Sequence, residues 1–233
     1  MKINQIIQGD CRDLIKQLPS KSVDVVFTSP PYNRVRNDTY EFYDDDLTNY
    51  EELLNEITSE SLRVARDKVI INIQQNHFNK REVFQWLGKF AENISGSACW
   101  VKTNPQPGNN YHEDDDTRSV TNGFEMFYFL TDDGKEFRAY GKDLVMNYIV
   151  TSINSEHVEG HGGVMKKEVA EWFVKKFTKK GDIILDPFMG TGTTAIVAKN
   201  LERKYIGFEL VAEYAEIARK RIDEETAQYR WNF

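Results

Sequence analysis

Cysteine is scarce: the 233 residues hold two, Cys11 and Cys99, and neither sits in a C-x-x-C pair. That excludes a disulfide-stapled scaffold and argues against a structural zinc site. Long apolar runs are missing, and none approaches the roughly 18 residues that span a bilayer. No membrane partner is therefore expected. The opening residues, MKINQIIQGDC, contain no apolar h-region, so no signal peptide is expected and the thiols read as reduced and cytoplasmic. Histidine is rare, and His77, His112, His157 and His161 do not have the spacing of metal ligands, so no metal is expected. An excess of positive charge is also absent. Lys+Arg is 30 against 37 Asp+Glu, a net charge of −7, which argues against nonspecific adhesion to nucleic acid but leaves room for a local basic face. There is no internal repeat and no Ser/Gly-rich linker, so residues 1–233 read as one domain.

Apolar residues are plentiful, with 14 Phe, 11 Tyr and 4 Trp, enough surface to build a packed core. Their pattern alternates between strand and helix. Short β-branched runs (3–8, 22–28, 67–73, 97–102, 124–131, 182–188 and 204–210) read as strands. Segments at 11–18, 48–65, 79–92, 165–177, 192–201 and 211–226 read as helices, the second capped by Thr48 with Glu51 as its capping box. Residues 34–47 and the breaker-rich 103–123 read as loops, and 132–163 yield no clear assignment. Alternation of this kind implies an α/β, doubly wound, mostly parallel sheet, whose ligands sit at the carboxyl ends of strands.

Four strand ends carry chemistry. Asp186-Pro187-Phe188-Met189-Gly190-Thr191-Gly192-Thr193-Thr194 joins a strand to a helix, with glycines that permit a tight turn and a close ligand. The third glycine of the dinucleotide fingerprint is missing. An acid on this loop suits a cationic amine better than a pyrophosphate. Glu209 ends the next strand, where it is either a solvated acid or a partner of ribose hydroxyls. Asp10 ends the first strand, as a helix N-cap or as a contact to an adenine amine. Ser29-Pro30-Pro31-Tyr32 is a proline-stiffened turn. It is either structural or a cradle for a planar base, with a hydroxyl and a carbonyl for the exocyclic amine and a ring to stack on.

Together these residues resemble the S-adenosylmethionine-dependent amino-methyltransferases of DNA. TSPPYN (28–33) resembles the catalytic motif, DPFMGTGTT (186–194) the cofactor loop, YIGFEL (205–210) the acidic strand end and QGDC (8–11) the adenine contact. WVKTNPQP (100–107) resembles a W-x-K-x-N-x-x-P segment of small adenine and cytosine methylases. The catalytic motif precedes the cofactor motif, which is the β arrangement. The segment His161–Lys166 departs from the family's H-P-x-x-x-P, lacking both prolines.

The resemblance implies a Rossmann-like methyltransferase fold with one antiparallel strand. It implies Ser29, Pro30, Pro31 and Tyr32 as catalytic residues. Cofactor contacts would come from Asp10, Cys11, Thr28, Asp186, Pro187, Phe188, Gly190, Gly192, Thr193, Thr194, Glu209 and Leu210. Neither Cys11 nor Cys99 is expected to be a nucleophile. The substrate would be double-stranded DNA with its target base flipped out. Cytosine N4 stands slightly ahead of adenine N6, because Ser29 resembles the cytosine enzymes while Asn33 and the 100–107 segment resemble the adenine ones. DNA contacts are expected from Asn33, Arg34, Arg36, Lys102, Asn104 and Arg118, in target-recognition loops near 33–47 and 103–123. Further basic candidates are Arg138, Lys142, Lys166 and Lys167. The acidic runs Asp44–Asp46 and Glu113–Asp116 are expected to point away from the duplex or toward a partner subunit. A homodimer and a cognate restriction endonuclease are the expected partners. Rival readings are a methyltransferase of RNA or of a protein amide, a nucleotide-dependent oxidoreductase, and a catalytically silent DNA-binding module.

Overall fold

Short runs such as Val-Ile-Ile-Asn-Ile and Ile-Ile-Leu-Asp are apolar on both alternating faces, which suits only strands covered on both sides. The structure, a computed structural model, bears this out. It describes residues 2–34, 40–105, 111–112, 117–118, 120, 122–153, 157–158 and 160–231, with side chains left aside at 111, 112, 118 and 226–231. The elements run β1 (Gln5–Gln8), α1 (Cys11–Lys16), β2 (Val23–Thr28), α2 (Tyr50–Val64), β3 (Ala65–Ile73), α3 (Lys80–Lys89) and β4 (Ile94–Lys102). They continue through β5 (Tyr111–His112), β6 (Thr117–Arg118), β7 (Phe124–Leu130), β8 (Tyr148–Thr151), α4 (Lys167–Phe177), β9 (Ile183–Asp186), α5 (Thr193–Asn200), β10 (Lys204–Glu209) and α6 (Ala212–Trp231).

Eight strands form one sheet in the order β1-β10-β9-β2-β3-β7-β4-β8, and β5 and β6 pair as a separate two-stranded ribbon. Only β7 runs against its neighbours, β3 and β4; the other pairings in the eight-stranded sheet are parallel. The sheet winds outward both ways from the β2–β9 seam, since β3 follows β2 on one side and β10 follows β9 on the other. A crevice at such a switch point is where doubly wound sheets hold ligands. Because β7 is reversed, its first residues, not its last, lie at the edge where the parallel strands end: Met126 pairs with Ile73.

Each face of the sheet carries a buried cluster, while Val101, Phe124, Tyr148 and Val150 at the β8 end are exposed. On one, Phe27, Phe127 and Phe129 pack against Phe173 of α4, with 4.0 Å between the Phe127 and Phe173 ring centroids. On the other, Ile15, Leu54 and Trp86 close over Val26, Ile71 and Leu130. Trp86 also donates its ring N–H to Thr58 at 2.8 Å, so its burial leaves no polar group unpaired.

Three sequence expectations need correction. Thr48 does not cap α2: Asn49 is the N-cap, its side chain makes no cap bond, and Glu51 accepts from Asn55 Nδ2 at 3.5 Å instead. The 132–163 stretch holds an edge strand, β8, whose four residues, YIVT, are too short a run to stand out in a segment otherwise without periodicity. Asp45 points inward, fully buried, and accepts the backbone N–H groups of Asn33 and Arg34 at 2.9 and 3.0 Å, while Asp44 and Asp46 stay exposed. The Glu113–Asp116 run lies outside the described residues. No helix among the described residues is long and apolar enough to cross a membrane.

Candidate functional site

The carboxyl ends of β1, β2, β3, β4, β9 and β10, with the start of β7, surround one cavity of about 1260 Å³. Ser29, Pro30, Pro31 and Tyr32 line it from one side, and Asp186, Phe188, Gly190 and Glu209 from the other. The two halves are tied at the seam, where Thr28 Oγ1 donates to Asp186 Oδ1 at 2.6 Å.

The β9 half is a cradle with two buried acids. Asp186 also accepts the Phe188 N–H at 3.1 Å; burial pushes its carboxyl above the ordinary aspartate range, while donors from Thr28 and Thr194 pull the other way. Glu209 accepts Gly190 N–H at 2.8 Å through Oε2 and Val211 N–H at 2.9 Å through Oε1, which anchors the glycine turn to β10. Burial raises this carboxyl too. Gly190, at φ +52°, occupies the left-handed region that only glycine adopts freely. Gly192 serves the fold instead: at φ +90°, a Cβ there would stand 3.0 Å from Ala218 Cβ of α6.

His161 closes this half. Its ring meets Tyr40 and Tyr214 edge-on, with centroids 4.9 and 4.7 Å away, and its Nδ1 is buried without a partner among the described atoms. Burial pushes its pKa down to about 4, so the ring is neutral at ordinary pH. A small cationic and hydroxylated ligand matches this set of acceptors. Two carboxylates retain free lone pairs, since a carboxylate offers about four acceptor sites. The His161 Nδ1 supplies one more orphaned polar atom.

The β2 half is held by amides. Asn72 Oδ1 accepts the Ser29 hydroxyl at 3.0 Å and the Tyr32 hydroxyl as well, while Asn72 Nδ2 donates to Met126 O at 3.1 Å. Tyr32 OH is also 3.1 Å from Glu125 Oε2. The Tyr32 carbonyl accepts from Asn76 Nδ2 at 3.0 Å and Asn79 Nδ2 at 2.7 Å. The turn is thus fixed at both its side chains and its backbone. Burial raises the Tyr32 phenol well above its usual range, helped by the nearby Glu125 charge, so it remains a neutral hydroxyl.

Most expected site residues meet on this cavity: Asp10, Cys11, Ser29 through Tyr32, Arg34, Lys102, Asp186 through Gly190, Thr193, Thr194, Glu209 and Leu210. Several expectations are corrected. Thr28 lies behind the wall, 1% exposed, and acts on the site through Asp186. Gly192 faces α6. Asn33 is buried and clamps Leu47 through both ends of its amide, at 2.8 and 3.2 Å, so it is not free for DNA. Asp10 is the N-cap of α1, accepting Arg12 N–H at 2.9 Å, and the Arg12 guanidinium holds its carboxyl below the usual range; it still borders the cavity. Lys102 is paired with Glu125 at 2.8 Å, with both side chains about nine-tenths buried, so it is not a solvated phosphate contact. Asn104 is exposed, with Oδ1 accepting from Ile153 N. Cys11 is buried, and burial pushes its thiol up to about 12, far from a nucleophile. Among the further basic candidates, Arg138 pairs with Glu136, Lys166 with Glu168 and Lys167 with Glu225. Arg36 and the Arg118 side chain lie outside what is described. Sequence reasoning missed Asn72 and Glu125. Each was signalled by a polar residue inside a dense apolar strand, VIINI and FEMFYFL.

A family model described as DNA methylase, of the N6/N4 type, matches residues 23–220. The type II methyltransferase M2.DpnII of Streptococcus pneumoniae is 28% identical over 247 residues, covering 94% of this chain and 90% of its own. Among solved structures, the PvuII DNA methyltransferase (cytosine-N4-specific) superposes with a TM-score of 0.74 at 17% identity, covering 97% and 90% of the two chains. The M1.HpyAVI–SAM complex gives 0.68 at 24% identity, covering 94% and 98%. At such identities the likeness to the solved structures is one of fold.

Proposed function

We propose, for a chain that belongs to the N6/N4 DNA methylase family, that it moves a methyl group from S-adenosylmethionine to the exocyclic amine of a base flipped out of duplex DNA. One observation carries the reading: the acidic glycine cradle and the Ser29–Tyr32 turn open on the same cavity, joined by the Thr28–Asp186 bond. Its volume, about 1260 Å³, exceeds the roughly 300–1,000 Å³ typical of a single small-molecule site and leaves room for a cofactor and a base. A protein of similar fold, M1.HpyAVI, is solved as a complex with SAM.

The residues divide the work. Asp186 would hold the cofactor's ammonium and Glu209 its ribose, with Phe188 along its flank and Asp10 and Cys11 near its adenine. When bound, this cofactor supplies an electrophilic methyl group. Ser29 is set as an acceptor. Its single proton goes to Asn72 Oδ1, so its remaining lone pairs face the cavity and an incoming amine N–H. The Pro30 carbonyl is the second acceptor, and the Tyr32 ring, pinned by its hydroxyl, is the stacking surface. Two acceptors on the amine keep its lone pair out of the ring and aimed at the methyl carbon. Asn72 is an amide and keeps no proton, so the surplus proton of the methylated amine leaves to water. Positioning supplies most of the acceleration.

Cytosine N4 stands slightly ahead of adenine N6 on the Ser29 resemblance. Mass spectrometry of nucleosides from modified DNA separates the two. On this reading Arg34 and Asn104 would meet DNA, and a homodimer on the duplex is part of the same reading. So is a paired restriction endonuclease, in keeping with the type II relative. A monomer mass in gel filtration at micromolar concentration argues against the dimer. The function itself is tested by the double variant Ser29→Ala, Tyr32→Ala. It should still bind S-adenosylmethionine in calorimetry and lose tritium transfer to DNA; transfer at the parental rate refutes the assignment.

A further inference from the structure

The wall beneath Tyr32 carries a buried ion pair that the transfer chemistry does not use. Lys102, the last residue of β4, places Nζ 2.8 Å from Glu125 Oε1, while Glu125 Oε2 is 3.1 Å from the Tyr32 hydroxyl. Both residues border the cavity. The Lys102 ammonium also lies 5.1 Å from the centre of the Trp100 ring, and that indole is itself fixed by its N–H bond to Thr151 at 3.0 Å. A buried pair of this kind is weak as a stabilising device, because removing both charges from water offsets most of their attraction. Its position next to the stacking ring calls for another explanation.

The hydrogen-bond inventory of the pocket supplies one. Around the target amine the chain presents acceptors. A base, however, carries an acceptor of its own next to the amino-bearing carbon: N3 in cytosine, N1 in adenine. Reading that atom needs a donor. Of the amide and indole donors on this wall, Trp100 Nε1 is spent on Thr151 and Asn79 Nδ2 on the Tyr32 and Gln74 carbonyls, while Asn72 and Asn76 each give one of their two N–H groups, to Met126 O and to the Tyr32 carbonyl. Lys102 has three N–H groups and gives one to Glu125. Arg34, the other cation at this end, lies 5.1 Å over the Tyr32 ring on a loop and is bonded to Gln74.

Resting on the methyl-transfer reading above, we propose that Lys102 donates a hydrogen bond to the ring nitrogen beside the amino-bearing carbon of the flipped base, held in place by Glu125 as a positioning residue. Lys102 is then a specificity residue: it fixes the base in its plane while Ser29 and Pro30 hold the amine, and it rejects a base whose ring presents no acceptor there.

The test pairs a protein change with a one-atom substrate change. The recognised sequence is first read by single-molecule sequencing of DNA from cells expressing the chain. Duplexes of that sequence are then made with the native target base or with its deaza analogue, C–H in place of the ring nitrogen (3-deazacytosine or 1-deazaadenine). Single-turnover tritium transfer is measured on both. Wild type should favour the native base by roughly ten- to hundredfold, the range for a hydrogen bond to a charged group. Lys102→Met should methylate both at rates within about twofold of each other. Glu125→Gln, which keeps an oxygen for Nζ, should retain the preference. Because Lys102→Met orphans a buried carboxylate, cofactor binding is checked by calorimetry, and where it fails the comparison is made in Lys102→Met, Glu125→Gln. Persistence of the wild-type preference in the Lys102 variants overturns the proposal alone, as does its loss in Arg34→Met instead. A wild type that methylates no duplex overturns the parent reading with it.

Discussion

Asn72→Leu is the sharpest probe of how the turn is held. The substitution keeps the branched four-atom side chain, at a larger volume, and removes the amide that accepts the Ser29 and Tyr32 hydroxyls and donates to Met126 O. Tyr32 keeps Glu125 as a partner and Ser29 can turn toward the cavity, so the Met126 carbonyl is the group left without its side-chain donor. Stability should therefore fall by only about 1–3 kcal/mol, the cost of one unsatisfied group. The effect on transfer is larger in kind. With no acceptor behind it, Ser29 aims its proton into the cavity and meets the amine as a donor. Losing one acceptor and loosening the ring removes about 2–3 kcal/mol of transition-state stabilisation, roughly 30- to 150-fold in kcat. Cofactor affinity should stay within about twofold, because Asn72 does not touch the β9 cradle. Asn72→Asp, which still accepts both hydroxyls, should recover most of the rate. Single-turnover tritium transfer beside calorimetry measures all of these. A kcat within threefold of wild type in Asn72→Leu would refute the reasoning.

Four further outcomes follow from the geometry. Thr28→Val removes the 2.6 Å donor to Asp186 and should weaken S-adenosylmethionine binding about 5- to 100-fold in calorimetry, with Thr28→Ser close to wild type. Burial holds Asp186 above its unfolded pKa, so it is the ionised form that the fold disfavours. Unliganded stability should therefore be greatest below about pH 4 for this group and be lost as pH rises through its raised pKa. Affinity for a cationic ligand should run the other way and weaken as pH falls through that window. For His161, pushed down to about 4 from 6.5, neutrality contributes stability above pH 6.5 that is lost as pH falls toward 4. Its NMR titration should show the low value, and His161→Phe should flatten that slope in denaturation curves. Phe173→Ala empties the centre of the aromatic cluster and should cost about 3–5 kcal/mol in chemical denaturation.

The alternation of strand and helix, and the two motifs at strand ends, were legible because each is local. A buried strand announces itself by continuous β-branched residues, and Ser-Pro-Pro-Tyr can be neither strand nor helix. The rest depends on partners far along the chain. Asn72 meets Ser29 only because β3 lies beside β2, and Glu125 reaches Tyr32 only because β7 is reversed. Asn33 and Asp45 looked like loop polarity, yet they bond each other across the turn and are both buried. Gly192 looked like part of a ligand cradle, and its reason is a helix, α6, that follows it in the chain. The three expected acids, Asp10, Asp186 and Glu209, did fall where strand ends converge, Asp10 in the helix-cap role that was one of its two readings.

The central claim is that the Ser29–Tyr32 turn receives an exocyclic amine for methylation. The most direct measurement is mass spectrometry of nucleosides from unmethylated duplex DNA incubated with the pure chain and S-adenosylmethionine. N4-methylcytosine or N6-methyladenine is the predicted product. A yield of 5-methylcytosine, or of no methylated nucleoside at all, would contradict it.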